Sequence, residues 1–521
     1  MKVVVVGGGI AGLATAALLA SRGHDVDLLE KNDELGGRVG SVERDGFRFD
    51  TGASWYLMPE VFEHFFSLLG TTAAAELDLK VLDPSYRVFF EGHPDPVELR
   101  PDRDHNRALF ESLEPGAGDR FDAYLSSAED TYDMALRRFL YSSFDSPTSL
   151  LTGDVVRRVP TLGRLLTRSL ERHVSASFSD RRIQQVLGYP AVFLGSSPDR
   201  APSIYHLMSR LDLGDRVLYP QGGFTKLIDV IASLAERHGA RLHTGTQVSG
   251  ITTRPGPRRR AEATGVAYVD RHGAAGTIRA DVVVGAADLH HLETALLPAH
   301  LQTHPESAWR RRSPGPGAVL AMLGVDGELP QLAHHTLFFT EDWKQNFGDI
   351  FGRDARVPDP ASIYVCKPSA TDPSVAPAGS ENLFVLVPVP ADTAIGAGGD
   401  DGGGSDTVER TADAAIDLVA DWAGVPDLRE RIRVRHTVGP EDFATRYHSW
   451  RGGALGLEHT LRQSAFLRPG NASRKVDGLL YAGSTTIPGV GLPMCLISAE
   501  LVLKRLSGDR STLPLAETEH A

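Results

Sequence analysis

Three glycines and one glutamate near the start of the chain have the residue types and the spacing of a dinucleotide site. Gly7, Gly9 and Gly12 directly follow the apolar run Val3–Val6, in the pattern Gly-x-Gly-x-x-Gly. The first glycine permits a tight turn, the second lets backbone approach a pyrophosphate, and the third lets a helix pack on the strand. Glu30 lies 18 residues after Gly12, where its carboxylate can accept hydrogen bonds from an adenosine ribose and disfavours the extra phosphate of NADP.

The segment that directly follows Glu30 narrows this chemistry to a flavin. Lys31-Asn-Asp-Glu-Leu-Gly-Gly-Arg38 resembles the E-K-x-x-x-x-G-G-R signature of FAD enzymes of the glutathione-reductase type. The resemblance implies FAD as the cofactor, with Lys31, Gly37 and Arg38 at its pyrophosphate and ribityl chain. A Gly-Gly pair permits close backbone approach, and an arginine is a charged donor for phosphate oxygens. The alternative is a surface turn with a solvated arginine.

A strand, a helix and a second strand must position these residues. Val3–Val6 is typical of a buried parallel strand, residues 13–21 are rich in Ala and Leu, and residues 25–30 form a second apolar run. Further along, a Gly-Gly turn leads into an amphipathic helix over 227–238 and a strand that ends at Val248. In this flavoprotein class such a unit returns the chain to the FAD domain, and the residue matching Val248 contacts the adenine through its backbone. An ordinary αβ connection has the same pattern.

Length and composition exclude several classes of function. The 521 residues predict two or three domains, and 41% hydrophobic with 23% charged residues excludes a mainly disordered or fibrous protein. The net charge of -13 argues against nucleic acid as a partner. Cys366 and Cys495 are too few for a disulfide framework, which favours a reducing cytoplasm. The first residues indicate a strand rather than a signal peptide, and no stretch of about 18 apolar residues predicts a membrane span.

A second glycine-rich turn lies near the carboxyl end of the chain. The stretch LYAGSTTIPGVGLPMCLISAE, residues 480–500, consists of a short apolar strand, a Gly/Pro turn and an apolar helix. Together with the flavin motif and three further segments, it resembles bacterial carotenoid desaturases, phytoene desaturase in particular. Those segments are FRFDTGASWYLMPEVFEHFFSLLG (47–70), QLAHHTLFF (331–339) and GGALGLEHTLRQSAFLRP (452–469).

The resemblance implies a role for this turn. In that family the carboxyl-terminal segment passes beside the flavin, and amides at the start of the following helix stabilise negative charge on the ring. The cofactor residues implied here are Gly483, Gly491, Leu492 and Met494. Ser484 stands where many related flavoenzymes have Asp, Thr486 where many desaturases have His, and Met494 where they have Gly. These departures leave the exact substrate open.

The expected fold class is α/β, with a Rossmann-like FAD-binding domain of the glutathione-reductase type, a second β-sheet domain for the substrate, and a helical cap. We expect a discontinuous FAD domain over 1–80, 215–300 and 465–510. The sheet domain is expected over 81–109 and 301–464, the helical cap over 110–214, and a loose tail over 511–521.

The expected function is FAD-dependent desaturation of phytoene toward lycopene, with an apolar polyene as substrate. The sequence identifies no catalytic base and does not determine the oligomeric state. A carotenoid isomerase or oxygenase of the same family would share the FAD motifs. A soluble amine oxidase and a flavin-free prenyl-lipid carrier are the remaining alternatives, and the intact glycine, glutamate and arginine motifs argue against the carrier.

Two further features have competing interpretations. Residues 150–174 mix apolar residues with Arg157, Arg158, Arg164, Arg168 and Arg172, which is typical of an interfacial segment and equally of a solvated helix. An interfacial segment would place the protein peripherally on the inner face of the cell membrane. His334 and His335 lie on a strand, where adjacent side chains point to opposite faces, so we expect one packed histidine, one exposed histidine and no metal.

Overall fold

A five-stranded parallel sheet forms the centre of the fold, in a computed structural model that describes residues 1–144, 161–256 and 260–517. The central strand is buried on both faces because its β-branched run suits a strand covered from both sides. In spatial order the strands are Leu479–Tyr481, Val282–Gly285, Lys2–Val6, Asp25–Leu29 and Arg241–His243. A strand from the carboxyl end of the chain therefore joins the sheet built by its first residues.

Helices cover one face of this sheet and a smaller sheet covers the other. Val3 and Val5 pack against the helices Ile10–Ser21, Phe224–Arg237 and Leu492–Ser507. Val4 and Val6 point the opposite way, as alternation along a strand requires. They pack against the sheet of Thr246–Pro255, Ala261–Asp270, Ala275–Arg279 and Val476–Asp477.

A seven-stranded sheet forms the second half of the molecule. Its strands in spatial order are Ile432–Val438, Gly317–Asp326, Ser380–Val389, Ile363–Cys366, His335–Phe339, Tyr86–Phe90 and Val97–Leu99. The helix Asp406–Trp422 packs on one face. The hairpin of Ser41–Arg44 and Phe47–Asp50 packs on the other face. At its end, Asp50 Oδ2 accepts a hydrogen bond from Phe224 N (2.9 Å), at the start of a helix that covers the first sheet.

A helical layer covers the rest of the face on which the hairpin packs. Its aromatic and aliphatic side chains pack against Tyr86, Phe90 and Phe339. The layer contains a helix over 161–167 and the helices Arg103–Leu113, Ala117–Ala135, Leu136–Leu140, Leu170–Ser175, Arg181–Gly188, Pro190–Phe193, Ser203–Met208 and Arg210–Gly214. Shorter elements are the helices Pro59–Leu68, Ala73–Glu76, Leu289–Thr294, Glu306–Trp309, Trp343–Phe351 and Pro440–Tyr447, and the strand pair Leu79–Val81 with Leu218–Pro220.

The expected α/β fold is confirmed, and two local expectations change. The run expected as one strand up to Val248 is two strands, in different sheets, separated by a turn. The expected loose tail is partly docked: Lys504 Nζ donates to Ser511 O (2.9 Å), and Leu515 N donates to Glu500 Oε1 (2.6 Å). Both polar side chains are buried in the last helix and need partners. The domain boundaries stay predictions.

Some expectations fall outside the described residues. These are the first part of the arginine-rich segment with Arg157 and Arg158, and residues 518–521 of the expected tail. Within the described ranges, no helix combines the length and the apolar character needed to cross a membrane.

Candidate active site

A cavity of about 880 Å³ lies between the two large sheets and the helical layer. It begins at the carboxyl ends of the parallel strands, where ligands bind in open α/β sheets. Every residue assigned to the cofactor from the sequence lines this cavity except Gly12. The structure therefore brings together motifs from the first forty and the last forty residues of the chain.

The first glycine turn is tightly packed on one side and open on the other. A Cβ atom at Gly12 would lie 1.9 Å from Gly7 O, so Gly12 packs the helix against the turn behind the cavity. A Cβ atom at Gly9 would meet only Gly36 O, at 3.8 Å. The helix that begins at Ile10 has neither a side-chain cap nor an acidic residue in its first turn. Its free amides suit a phosphate group.

Glu30 lies beside this turn and binds its backbone through the side-chain carboxylate. Its carboxylate accepts a hydrogen bond from Gly8 N (2.7 Å) and another from Asn32 N (2.8 Å). The side chain is buried at the end of its strand and lines the cavity. Because a carboxylate has about four acceptor sites, Glu30 can orient the turn and still accept from a ribose hydroxyl.

The Gly36-Gly37-Arg38 segment lies against the first turn. Gly36 N donates to Gly8 O (2.8 Å), and a Cβ atom at Gly37 would lie 3.3 Å from Gly9 Cα. Arg38 Nη2 donates to Ser449 Oγ, whereas its Nε is buried without a partner among the described residues. An uncapped helix, an open glycine face and an unpartnered guanidinium nitrogen together fit the diphosphate of FAD.

Lys31 and Val248 occupy positions that differ in kind from those of the glycines. Lys31 Nζ donates to Thr445 O (2.6 Å), so the ammonium group joins two segments of the protein at the edge of the cavity that Lys31 also lines. Burial lowers its pKa. Val248 is buried beside a register shift in its strand pair, between Val248 and Gly250. Such a bulge frees backbone groups for another partner.

The carboxyl-terminal turn reaches the same end of the cavity. A Cβ atom at Gly483 would lie 3.8 Å from Ala11 Cβ, at the start of the first helix. Gly491 has φ 122° and ψ 153°, a conformation that favours glycine. It precedes the helix Leu492–Ser507, whose start has no side-chain cap. Leu492 and Met494 line the cavity at this helix start.

Side chains from the preceding segment hold this turn, and the sequence analysis did not identify them. Arg468 is buried and donates to Ser484 O (2.6 Å) and Thr486 O (3.2 Å). Asn471 Nδ2 donates to Ile487 O (2.9 Å). Burial lowers the pKa of Arg468 to about 10. The available signal was an arginine and an asparagine flanking Pro469-Gly470, within a motif that resembled the family as a whole.

A histidine outside the turn also contacts it. His459 Nε2 accepts a hydrogen bond from Val490 N (3.3 Å), and His459 Nδ1 lies 2.6 Å from Tyr205 Oη. Burial lowers the pKa of His459, so the imidazole is neutral. Thr486, where many desaturases have histidine, donates from its hydroxyl to Gly483 O (2.8 Å) and closes the turn locally.

The far part of the cavity is apolar. Its walls come mainly from the helical layer and include Phe139, Leu140, Phe144, Leu162, Leu166, Phe193, Leu207, Met208 and Phe466. The carboxylates that line the cavity are Glu30 and Asp288, both near the first turn and Arg38. Among the described lining residues, the apolar part thus contains no carboxylate. The apolar part of the cavity is therefore continuous with a candidate cofactor site built from backbone amides.

The expectation for His334 and His335 is wrong in one respect. Both histidines are buried, at 4% and 0% exposure, so neither faces solvent. His334 lies just before the strand His335–Phe339, so the side-chain alternation of a regular strand does not apply to this pair. The two rings are in edge contact, with centroids 4.6 Å apart. Burial lowers the pKa of His334 to about 3.

Comparisons with known proteins agree with this geometry. The family of flavin containing amine oxidoreductases matches residues 10–502. A carotenoid 3,4-desaturase of Haloarcula japonica is 43% identical over 97% of this chain and 98% of its own length. A zeta-carotene-forming phytoene desaturase of Myxococcus xanthus is 34% identical, over 97% of this chain and 93% of its own.

A solved structure shows the same fold at low identity. An oxidoreductase from Methanosarcina mazei superposes with a TM-score of 0.60 at 17% identity, covering 97% of this chain and 100% of that chain. The match to the family model and the full-length similarity to two desaturases carry the assignment. The chain belongs to the flavin-containing amine oxidoreductases, and within them to the carotenoid desaturases, and it is an FAD-dependent oxidoreductase.

Proposed function

We propose that this protein desaturates phytoene in the direction of lycopene. The observation that supports the proposal best is the continuity of the cavity, which joins the glycine turns to a long apolar space. Phytoene has no polar group, so binding must come from apolar burial, at about 25 cal/mol per Å². The walls of the helical layer supply that surface.

The protein's own groups position the reactants and exclude water. Bound FAD supplies the redox chemistry by accepting the hydride equivalent that leaves the substrate. The apolar walls hold an allylic C–H in reach of the cofactor, which contributes through orientation. The amides of the Gly491–Met494 segment and the buried Arg468 place positive charge at the cofactor end. The neighbouring carbon must also lose a proton, and the apolar lining offers no carboxylate to accept it among the described residues.

An anaerobic single-turnover experiment tests the proposal. Oxidised protein mixed with phytoene in liposomes should lose flavin absorbance as a desaturated product appears by chromatography, without NADPH. Persistent absorbance, with conversion only after NADPH and oxygen are added, would favour an oxygenase. An isomerised product with unchanged flavin would favour an isomerase, and bleaching by amines alone would favour an amine oxidase.

Two variants at adjacent residues test whether the substrate occupies the cavity. Leu166 lines the cavity, whereas its neighbour Thr167 is exposed on the same short helix. Leu166→Asp should slow phytoene conversion, since a carboxylate in the apolar space costs free energy when the substrate excludes water. Thr167→Asp should convert phytoene at the wild-type rate. Equal rates in the two variants would place the substrate elsewhere.

The relative from Haloarcula japonica favours a second candidate function. That protein is named as a carotenoid 3,4-desaturase and is more similar to this chain than the phytoene desaturase is. The second candidate is therefore removal of hydrogen from C3 and C4 of a carotenoid that is already conjugated. Offering phytoene and lycopene separately in the anaerobic experiment distinguishes the two, because only the preferred substrate bleaches the flavin rapidly.

We further propose that the substrate enters from a lipid surface at the inner face of the cell membrane. Phe466 is 63% exposed and also lines the cavity, which places it at an opening. Leu461 and Leu467 are exposed on the same segment, beside the exposed Arg462. Apolar residues next to a basic residue suit an anionic bilayer.

Sedimentation with anionic liposomes tests this entry site. Replacing Leu461, Phe466 and Leu467 together by Ser should reduce the sedimented fraction. Replacing Arg164 and Arg168 by Gln should reduce it too if the described part of the arginine-rich segment also contacts lipid. Unchanged sedimentation of both variants would contradict membrane entry and leave the desaturation proposal intact.

A further inference from the structure

Two adjacent histidines and a cysteine from the neighbouring strand meet beneath the floor of the cavity. One ring nitrogen of His334, one of His335 and the Sγ atom of Cys366 all lie within 4.8 Å of one another. The pairing of adjacent strands causes this meeting, because His335 is directly opposite Cys366 in the antiparallel ladder. All three side chains are buried, with at most 4% exposure.

Each histidine has one ring nitrogen in a hydrogen bond and one without a partner. His335 Nδ1 lies 2.8 Å from Tyr364 Oη, and His334 Nδ1 lies 2.7 Å from Thr371 Oγ1. The Nε2 atoms of both rings are buried and have no partner among the described residues. Two unpartnered nitrogens in one buried cluster are costly unless a further ligand satisfies them.

Tyr364 contacts one nitrogen of His335 and leaves the other available. Tyr364 Oη donates to Ser54 Oγ (2.8 Å) and lies 2.8 Å from His335 Nδ1. In the tautomer with the proton on Nδ1, that nitrogen donates to Tyr364 Oη, and the Nε2 atom of His335 carries a lone pair. A histidine held in this way, with Nδ1–H bonded and Nε2 free, has the arrangement typical of a metal ligand.

A small, mainly apolar cavity adjoins the cluster on the side of Cys366, and a few polar groups reach into it. Its volume is about 10 Å³, close to the space for one water molecule. Cys366, Asp50 and Tyr219 line it, and both Asp50 Oδ1 and Tyr219 Oη are buried without partners among the described residues. The site thus has room for a fourth ligand, and the carboxylate of Asp50 adds negative charge nearby.

We propose that His334 Nε2, His335 Nε2 and Cys366 Sγ bind one Zn²⁺ ion, with a water molecule in the small cavity as the fourth ligand. Imidazole nitrogen and thiolate sulfur in tetrahedral geometry are the ligands that zinc prefers. Binding forms an S–Zn bond, breaks the S–H bond of Cys366 and releases that proton to solvent. The thiolate and the Asp50 carboxylate then balance the two positive charges of the ion. Side-chain rotations must shorten the ligand separations to about 3.5 Å, as tetrahedral zinc requires.

Zinc bound at this site would be linked, through the ring of His335, to side chains that form the cavity floor. The ring of Trp55 stacks on His335, with centroids 4.2 Å apart, and Trp55 and Ser54 both line the large cavity. A metal that fixes the ring of His335 therefore fixes Tyr364, Ser54 and Trp55 through contacts already present. The role is structural and does not depend on which carotenoid the protein converts.

Metal analysis of the flavin-loaded, full-length protein tests the proposal directly. After incubation with zinc and removal of excess metal, the wild type should retain about one zinc ion per chain. Loading with Co²⁺ instead should give ligand-field absorption bands to the red of the flavin, with the intensity of tetrahedral coordination. A wild type that retains no metal under these conditions would overturn the proposal, whatever its desaturase activity.

Variants assign the metal to this cluster. His335→Ala and Cys366→Ser should lose the retained zinc, whereas Tyr364→Phe should weaken zinc binding about 10- to 100-fold, the usual effect of removing an outer-sphere partner. Cys495→Ala, which removes the other cysteine, and His272→Ala, which removes an exposed histidine, should retain zinc. Loss of zinc in these controls, or its retention in both ligand variants, would contradict the assignment. Tyr364→Phe removes one hydroxyl and no ligand, so it still tests the site if the ligand variants do not fold.

Discussion

The two glycine turns at the cofactor end of the cavity are held in their backbone conformations in different ways. The first, at Gly7–Gly12, is packed so closely that a Cβ atom at Gly12 would lie 1.9 Å from Gly7 O. The second, from Gly483 to Gly491, is open at both ends, where a Cβ atom at Gly491 would lie 3.7 Å from its nearest neighbour, and is closely packed at Gly489, where a Cβ atom would lie 2.5 Å from the ring of His459. What fixes the second turn is a set of side chains outside it, chiefly Arg468, Asn471 and His459.

This difference separates local from remote control of a backbone conformation. In the first turn the glycines themselves, with the strand and the helix on either side, determine the path of the chain. In the second turn the glycines at the two ends only permit the path, Gly489 makes room for the ring of His459, and hydrogen bonds from residues 459–471 select the conformation. Changes to glycine should therefore be most damaging in the first turn, and changes to bracing residues should be most damaging in the second.

The largest effect is expected at Gly12. Gly12→Ala places a methyl group against Gly7 O, so the helix must move away from the turn that faces the diphosphate. We expect purified protein with little or no flavin, measured by its absorbance. Gly348→Ala is the matched control, because Gly348 is also in a helix and no atom lies within 4 Å of the place that its new methyl group would take. Normal flavin content in Gly12→Ala would show that the first turn adapts.

Arg468 should be the most sensitive position of the second turn. Arg468→Met removes a buried cation and leaves the carbonyls of Ser484 and Thr486 without their donor. We expect a loss of about 3 kcal/mol in the free energy of unfolding, since these are hydrogen bonds to a charged group. Chemical denaturation followed by flavin release measures it. Arg462→Met, an exposed arginine in the same segment, should leave the midpoint unchanged.

The contrast also explains how much of the molecule the sequence could predict. The first turn was predicted with its strand, helix and Glu30, because the determinants are consecutive and their periodicity is strong. The position of the second turn came from a resemblance, whereas its bracing residues did not, since nothing in the sequence pairs Arg468 with the carbonyl of Ser484. His334, His335 and Cys366 were missed as a cluster for the same reason: a strand ladder brings them together, and no sequence spacing records it.

Glu30 provides a test within the first turn. Glu30→Ala removes the acceptor for Gly8 N and Asn32 N and the carboxylate proposed to bind the ribose. FAD affinity should fall by about 1.5 to 3 kcal/mol, the range for hydrogen bonds that involve a charged group. Titration of apoprotein with FAD measures the change. Glu34→Ala removes an exposed carboxylate four residues away and should bind FAD normally; equal affinities in both variants would remove Glu30 from the site.

Gly491 should tolerate alanine better than Gly12 does. A methyl group at Gly491 meets no atom closer than 3.7 Å, so the cost is backbone strain at φ 122° and not a clash. Such strain costs about 1 to 3 kcal/mol. We expect Gly491→Ala to bind FAD and to lose thermal stability, with Gly470→Ala, which has no atom within 4 Å and no positive φ, as the neutral control. Complete loss of flavin would show that the cofactor itself occupies the space beside Gly491.

The smallest effect is expected at Thr486, and it tests whether the bracing is truly distributed. The Thr486 hydroxyl donates to Gly483 O, but the same carbonyl also accepts from Thr486 N (3.1 Å), so the turn keeps one closing hydrogen bond without the side chain. Thr486→Val, which conserves the shape of the side chain, should therefore lower the free energy of unfolding by only about 1 kcal/mol. Thr486→Ser retains the hydroxyl and should lose less than Thr486→Val in the same denaturation experiment. If Thr486→Val instead matched Arg468→Met in its loss, the turn would depend on its own hydroxyl as the first turn depends on its glycines, and the distinction between local and remote control would fail.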